Sequence, residues 1–132
     1  MATSNDDLEA FLHRLDRSFE KVEDGTYLVS LGPHQPKAAL RIASPVVVVQ
    51  VDVAEAPSGN PALEAKLFRR LLELNATDLV YVSFGIDRGR IVLDAALDHS
   101  TMDLNELEGV LSNLDLAVSQ LVPQLRDIVK QG

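Results

Sequence analysis

The sequence predicts an α+β domain in which a helix, a three-stranded antiparallel meander, a second helix, a β-hairpin and a long C-terminal helix follow one another. Apolar residues recur with helical period in three segments, and β-branched or alternating segments lie between them. Short stretches rich in Gly, Pro, Asn and Asp separate the segments, without an internal repeat or a linker. The 132 residues can bury one hydrophobic core, so we expect residues 1–132 to form a single domain.

The first helix is predicted from apolar residues spaced three and four positions apart, which line one side of an α-helix. These residues are Leu8, Phe11, Leu12, Leu15, Phe19 and Val22. Ser4 or Asn5 can cap the first amides, and the Glu23-Asp24-Gly25 turn is expected to end the helix after Val22.

Three strands are predicted before the second helix, because Gly32-Pro33 and Ser44-Pro45 divide this part of the chain. The strands run from Thr26 to Leu31, from Lys37 to Ile42 and from Val46 to Val53. Such short connections favour an antiparallel meander. The valines from Val46 to Val49 indicate that both faces of the third strand are partly covered, whereas Gln50 and Asp52 return one face toward solvent.

The second half begins with a helix that Asn60 can cap, Pro61 can open and Asn75 is expected to end. A β-hairpin follows, with strands from Leu79 to Ile86 and from Arg90 to Leu97 around Asp87-Arg88-Gly89. The last helix opens at Asp103, with Glu106 as its capping-box partner, and keeps helical period almost to the C-terminus. Pro123 predicts a kink or a break near residues 119–122.

The composition excludes several classes of function. Twenty acidic residues against twelve basic ones give a formal net charge of −8, which repels nucleic acids and anionic membranes. The chain contains no cysteine, so disulfides, thiolate zinc sites and cysteine nucleophiles are excluded. The N-terminus lacks the pattern of a signal peptide, and the apolar runs are too short to span a bilayer. We therefore expect a cytoplasmic protein.

Three short motifs in the second half accompany this order of elements. Leu71-Leu72-Glu73-Leu74-Asn75 ends the second helix, Val82 to Asp87 leads through a turn to Ile91-Val92-Leu93, and Leu104-Asn105-Glu106-Leu107 opens the last helix. Over nearly the whole chain, the sequence resembles the fold family shared by type III secretion chaperones of the Tir-chaperone class and YbjN-like proteins. It departs from the secretion chaperones at Asp98-His99-Ser100, where they carry a leucine-proline-leucine stretch. A YbjN-like relative without a secretion role therefore fits at least as well.

The resemblance implies a homodimer, assembled through the second helix and the neighbouring hairpin, whose apolar surfaces hold an extended segment of a client protein. The candidate dimer or partner surface comprises Phe68, Leu71, Leu72, Val80 and Val82. Phe68 and Leu72 widen the apolar side of the second helix, so one flank can face the sheet and the other a partner. The alternative is that both flanks belong to the intramolecular core. A roadblock-like regulatory scaffold is a second alternative. Such domains have two strands before the middle helix and three after it, whereas three before and two after are predicted here, and this difference disfavours the alternative.

The sequence predicts no catalytic residue, no cofactor and no metal site. His13, His34 and His99 lack a second ligand at the spacing of a metal site. Asp52 interrupts a valine-rich strand, and a carboxylate in such surroundings can act as a general base, although alternation places it toward solvent. Asp94 and Asp98 share a strand face near His99, a polar cluster that is typical of a turn or a strand edge. An unrecognised enzyme, which would use His99, Asp52 and Asp94, is the third alternative.

Overall fold

The computed structural model describes residues 5–131, and within that range it contains four α-helices, one π-helical turn and six strands. In chain order these are α1 (Asn5–Arg14), β1 (Phe19–Glu23), β2 (Thr26–Val29), β3 (Ala38–Ala43), β4 (Val46–Glu55), α2 (Pro61–Thr77), β5 (Ser83–Asp87), β6 (Arg90–Asp98), α3 (Leu104–Leu116), the π-turn (Ala117–Leu121) and α4 (Val122–Gln131). The predicted α+β class is confirmed. Ser4, one of the two predicted caps of the first helix, lies outside the described residues.

The prediction that the first helix extends to Val22 is wrong. α1 ends at Arg14, and Asp16 adopts a left-handed φ of 55° two residues later. The Arg17 N–H donates to the Leu12 carbonyl at 3.1 Å, and the Asp16 N–H donates to the His13 carbonyl at 3.1 Å. These two bonds form a Schellman motif, which closes a helix at a left-handed residue. Asp tolerates this conformation better than most residues, so the helix ends without a glycine to mark the place.

The residues after this turn form β1, a strand that the sequence analysis missed. Phe19 pairs with Val29, and its ring packs edge-on against the ring of Tyr27 with 5.9 Å between centroids. Val22, which fits the helical spacing, is instead 53% exposed on the strand. The meander therefore has four strands, and the Glu23-Asp24-Gly25 turn joins β1 to β2 where it was predicted to end a helix.

The six strands form one antiparallel sheet in the order β1-β2-β3-β4-β6-β5. β6 pairs with β4 on the side opposite β3, so the hairpin of β5 and β6 extends the meander. Val47, Val49 and Val51 of β4 are buried, while Asp52 is exposed as predicted. These valines belong to the same hydrophobic core as the buried leucines of the helices. The helices therefore cover one face of the sheet, and the other face is partly solvated.

α1 is attached to this sheet by one buried aromatic residue. The Tyr27 side chain is completely buried, and its hydroxyl donates to a Glu9 carboxylate oxygen at 2.8 Å. Leu8 and Leu12, on the same helix, are also fully buried in the core. Burial, followed by the hydrogen bond and the charge of Glu9, raises the pKa of Tyr27 to about 12.

The predicted start of α2 is confirmed. The Asn60 side-chain oxygen accepts from the Leu63 N–H at 3.2 Å, and Pro61 opens the helix. The helix continues two residues past Asn75, the predicted end, to Thr77. The β5–β6 turn is also as predicted, with Gly89 at a φ of 77°.

The C-terminal helix runs as predicted from a capping box, in which Asp103 and Glu106 accept from each other's backbone N–H groups. Pro123 cannot donate a backbone hydrogen bond, and the predicted irregularity before it is the π-turn. There the Val122 N–H donates to the carbonyl of Ala117, five residues earlier. α3, the π-turn and α4 thus follow one another without a break in the chain.

Among residues 5–131, no helix is both long enough and apolar enough to cross a membrane.

We predict that Tyr27 makes the free energy of unfolding fall between about pH 10 and pH 12. In the unfolded chain the phenol ionises near pH 10, whereas the folded state holds its proton to about pH 12. Protonation is therefore tighter in the folded state across this window, and stability drops by on the order of 2 kcal/mol as the pH rises through it. Urea unfolding followed by circular dichroism at each pH measures the effect.

The Tyr27→Phe variant should lack this fall, and it should lose about 1 kcal/mol below pH 9 with the hydrogen bond to Glu9. Tyr81→Phe, which removes a hydroxyl from a side chain that is 52% exposed, is the matched control and should keep the wild-type pH dependence. Equal falls in wild type and Tyr27→Phe would contradict the assignment.

Candidate functional site

Large apolar side chains are exposed on α2 and on the segment between α2 and β5. Leu72 is 68% exposed, Val80 is 81% exposed and Tyr81 is 52% exposed. Phe68 lies one helical turn before Leu72 and is half-buried. We call these four residues the α2–β5 surface. Several exposed apolar groups on a helix and its adjoining segment are typical of an interaction site.

The backbone of this segment is fixed on α3. The Asn113 side-chain oxygen accepts from the N–H groups of Val80 at 3.4 Å and of Tyr81 at 3.2 Å. The Tyr81 ring lies directly over Gly109, where an added Cβ would come within 2.8 Å of the ring. Only glycine permits so close an approach. The exposure of Val80 and Tyr81 is therefore a fixed property of the fold.

α2 is also attached to the free edge of the sheet. The Asn75 side chain accepts from the Phe84 N–H at 2.7 Å and donates to the Phe84 carbonyl at 3.1 Å. β5 is the last strand of the sheet, so these are backbone groups that an added strand would otherwise pair with. At this position the edge is blocked, and a partner of the α2–β5 surface meets side chains there.

Of the five residues predicted for the candidate surface, the structure exposes some and buries others. Leu72 and Val80 are exposed, and Phe68 is half-buried. Leu71 and Val82 are only 5% exposed each and belong to the hydrophobic core. These two residues therefore contribute no surface. Successive residues of a helix point about 100° apart, so Leu71 faces the core beside the exposed Leu72, and Val82, which precedes β5, is buried beside the exposed Tyr81. Tyr81 was missed, since the predicted strand included it without indicating which face it occupies.

The acidic candidates do not form a catalytic group. Asp52 accepts from Arg90, with its carboxylate 2.9 Å from Nη2 and 3.0 Å from Nε. Both side chains are exposed, so this is a surface ion pair. Asp94 and Asp98 share a face of β6 as predicted, since Asp94 pairs with Gln50 and Asp98 with Val46.

The polar cluster at the end of β6 is a turn. Asp98 accepts from the Ser100 hydroxyl at 2.6 Å and from the Ser100 backbone N–H at 2.8 Å, and these bonds hold the pKa of Asp98 below its usual value. His99 Nδ1 lies 3.4 Å from the Ser44 hydroxyl, across the neighbouring turn. Across residues 5–131, no three His, Cys, Asp or Glu side chains come together in a way that could hold a metal ion.

Comparison with protein families gives a match over the whole described chain. The model of the CesT_Tir_1 family matches residues 1–131. The chain belongs to the CesT_Tir_1 family, a family of type III secretion chaperones. No curated protein sequence matches this CesT_Tir_1 chain.

Two solved structures share the fold. One is a chain of the heterodimeric ExoU–SpcU complex from the type III secretion system of Pseudomonas aeruginosa, with a TM-score of 0.69 and 23% identity, over 88% of this chain and 95% of that one. The other is YbjN from E. coli, provisionally described as a transcription regulator, with a TM-score of 0.65 and 17% identity, over 96% of this chain and 92% of that one. The resemblance predicted from the sequence is thereby confirmed, and family membership supports a chaperone or adaptor role.

We predict that Asn113→Ala loosens the α2–β5 segment of this CesT_Tir_1 chain without unfolding the domain. The substitution removes the acceptor of two backbone N–H groups, each worth about 1 kcal/mol. Amide hydrogen exchange at Val80 and Tyr81, measured by NMR, should become about fivefold faster. Ser112→Ala, at an exposed position of the same helix, is the control and should leave exchange there unchanged. Unaltered protection in Asn113→Ala would show that another contact fixes the segment.

Proposed function

We propose that this CesT_Tir_1 chain is a protein-binding chaperone or adaptor that holds a segment of a client protein on an apolar surface. The proposal includes a homodimer, a cytoplasmic location and no catalytic activity. Its main support is the α2–β5 surface, on which apolar side chains stay exposed although the backbone beneath them is hydrogen-bonded to α3. Exposing such groups in water is unfavourable, and covering them with a protein partner recovers that free energy.

The partner that fits the α2–β5 surface is a second copy of the chain. Leu72 and Phe68 lie on one flank of α2, while the buried Leu67, Leu71 and Leu74 face the core. A helix with apolar residues on two flanks can pack against its own sheet and against an identical helix related by twofold symmetry. The client segment then lies on apolar surface that the dimer leaves open.

Other classes of function have less support. A formal charge of −8 disfavours direct contact with nucleic acid. The roadblock-like scaffold has two strands before the middle helix and three after, whereas this chain has four and two among its described elements. His99 Nδ1 lies 3.4 Å from the Ser44 hydroxyl, but this pair is exposed beside a turn at the end of the sheet, so we propose no enzymatic step.

We predict that the purified protein is a dimer of twice 14.4 kDa and that Leu72→Asp or Val80→Asp converts it to a folded monomer. A carboxylate buried in an apolar dimer interface without a partner is strongly destabilising, whereas in the monomer both positions are exposed. Size-exclusion chromatography with light scattering measures the mass, and thermal unfolding checks the fold.

Two control variants make this test specific. Val22→Asp places the same charge at an exposed position on β1, the opposite edge of the sheet from β5, and should remain a dimer. Leu71→Asp places it in the core and should unfold the chain. A wild-type protein that is monomeric at all concentrations would overturn the homodimer. A dimer that retains no protein when used to capture partners from its native lysate would overturn the client-binding role.

A further inference from the structure

A cleft opens on the face of the sheet opposite the helices. Its volume is about 340 Å³, and it shares no residue with the α2–β5 surface. Three neighbouring strands contribute to it, through Thr26 of β2, Ala39 and Arg41 of β3, and Val48 and Gln50 of β4. Leu40, between Ala39 and Arg41, belongs to the hydrophobic core, which places its two neighbours on the open face. Thr26 pairs with Arg41, and Arg41 pairs with Val48, so these side chains lie side by side there.

The tip of the β5–β6 hairpin also borders this cleft. Asp87 and Arg88 line it together with Gln50. Next to the hairpin turn, Arg90 pairs with Glu55 of β4, and on a straight strand Glu55 would lie about 16 Å from Gln50. The strand therefore bends toward the open face, and the hairpin tip comes with it.

A β-bulge lies where β4 bends. Asp52 pairs with Val92 and Ala54 pairs with Ile91, so Val53 is the extra residue of the bulge. A bulge bends its strand and increases the local twist. Both neighbours of Val92 in β6 belong to the hydrophobic core, so Val92 points to the open face, yet it is only 4% exposed. The bent hairpin thus shelters this part of the open face.

Two guanidinium groups without a partner line the cleft. Arg41 and Arg88 are both exposed, and within residues 5–131 neither forms an ion pair or a side-chain hydrogen bond. Nearby, Arg90 is paired with Asp52 at 2.9 Å. In a chain whose formal charge is −8, two unpaired arginines beside one cleft indicate a site for an anion.

Arg88 occupies a backbone position that arginine rarely takes. Asp87 pairs with Arg90, so Arg88 and Gly89 form a two-residue type I′ turn, with φ angles of 51° and 77°. Asn, Asp and Gly are the usual residues at the first of these positions, because a left-handed φ is unfavourable for most other side chains. A strained residue that carries an unpaired charge into a cleft favours a role in binding.

The donors around the cleft favour a phosphate over a carboxylate. The two guanidiniums reach it from different elements, β3 and the hairpin turn, and Thr26 and Gln50 add a hydroxyl and an amide. A phosphate group offers three acceptor oxygens that point in different directions, whereas a carboxylate offers two in one plane. A phosphate monoester also carries a charge of about −1.5 to −2 at pH 7, which matches two guanidiniums.

Asp87 sets a condition on the rest of the ligand. Its carboxylate lines the cleft, can only accept hydrogen bonds, and repels a bare anion. A ligand with a hydroxyl near its phosphate can donate to Asp87, and this hydrogen bond offsets the repulsion. Ala39 and Val48 provide small apolar groups against which a carbon skeleton can lie.

We propose that this cleft binds a small phosphate monoester that carries hydroxyl groups, such as a glycerol or sugar phosphate. The phosphate accepts from Arg41 and Arg88, a hydroxyl donates to Asp87, and the carbon skeleton lies on Ala39 and Val48. A volume of about 340 Å³ corresponds to about eleven water molecules at ~30 Å³ each, enough for such a ligand. The site is additional to the proposed client-binding function and does not depend on it.

The test is a titration of the purified full chain with four probes at constant ionic strength, followed by amide NMR. The probes are glycerol 3-phosphate, n-propyl phosphate, glycerate and glycerol. We expect saturable shifts at Thr26, Ala39 and Gln50 with glycerol 3-phosphate and none with glycerol. Binding should be about threefold weaker for propyl phosphate, which lacks the hydroxyls, and about tenfold weaker for glycerate, which has a carboxylate in place of the phosphate. The absence of saturable shifts with glycerol 3-phosphate, or equally tight binding of glycerate, would overturn the proposal.

Variants of the two arginines assign the phosphate contacts. Arg41→Ala and Arg88→Asn should each weaken binding of glycerol 3-phosphate about tenfold. Asn suits the left-handed position, so Arg88→Asn should unfold at no lower a temperature than wild type, which separates lost binding from lost folding. Arg69→Ala, at an exposed arginine of α2, is the control and should leave binding unchanged. Wild-type affinity in either cleft variant would refute the phosphate contact.

Asp87→Ala tests the hydroxyl contact. Without the carboxylate, propyl phosphate should bind more tightly than to wild type, and the preference for glycerol 3-phosphate should fall below about twofold. A preference that stays at about threefold would refute the contact with Asp87. Dimer mass and client capture are measured without these ligands, so a failure here leaves the proposed function standing, and a failure of client capture leaves binding in the cleft measurable.

Discussion

The antiparallel pairing of β4 with β6 is the constraint on which the rest of the structure depends. It runs from the pair of Val46 with Asp98 to the pair of Glu55 with Arg90, and within residues 5–131 it is the only strand pairing that joins the N-terminal meander to the C-terminal hairpin. Its register sets which valines of β4 face the helices. A slip of one residue would turn Val47, Val49 and Val51 to the partly solvated face, so burial of these side chains fixes the register. The positions of α2 and α3, which flank the hairpin in the chain, follow from it.

The features that favour a binding function are places where the strands and helices of this sheet and its covering layer depart from regular geometry. The Val53 bulge interrupts the pairing of β4 with β6 at its far end, and the π-turn at Ala117–Leu121 changes the hydrogen-bond spacing of the otherwise continuous C-terminal helix. Val53 of the bulge and Val122, which follows the π-turn, line an apolar groove between α4 and the end of β4. The α2–β5 surface has a comparable origin, because Asn113 and Gly109 hold the segment after α2 against α3 with Val80 outward. Conformation at these places is set by contacts between elements that are distant in the chain.

Several elements were predictable because their signals are local. Asn60 and Pro61 mark the start of α2, Asp103 and Glu106 form the capping box of α3, and Gly89 supplies the positive φ of the β5–β6 turn. The end of α1 was not predictable in this way. Its left-handed residue is Asp16, and the apolar residues of β1 continue the helical spacing, so local pattern and structure disagree. Pairing of Phe19 with Val29 gives β1 a neighbouring strand, and that contact outweighs the helical pattern.

By itself the sequence determined the α+β class, the placement of most elements and the family to which the chain is similar, because periodicity, caps and turns depend on near neighbours. It also determined the acidic charge and the lack of cysteine. Only the tertiary structure decided that Leu71 and Val82 are core while Leu72, Val80 and Tyr81 are exposed, since adjacent residues of similar hydrophobicity differ only in the direction they face. It alone also placed Val53, Leu125, Glu55 and Arg126 around one groove, because β4 and α4 are far apart in the chain and meet only when the helices pack on the sheet.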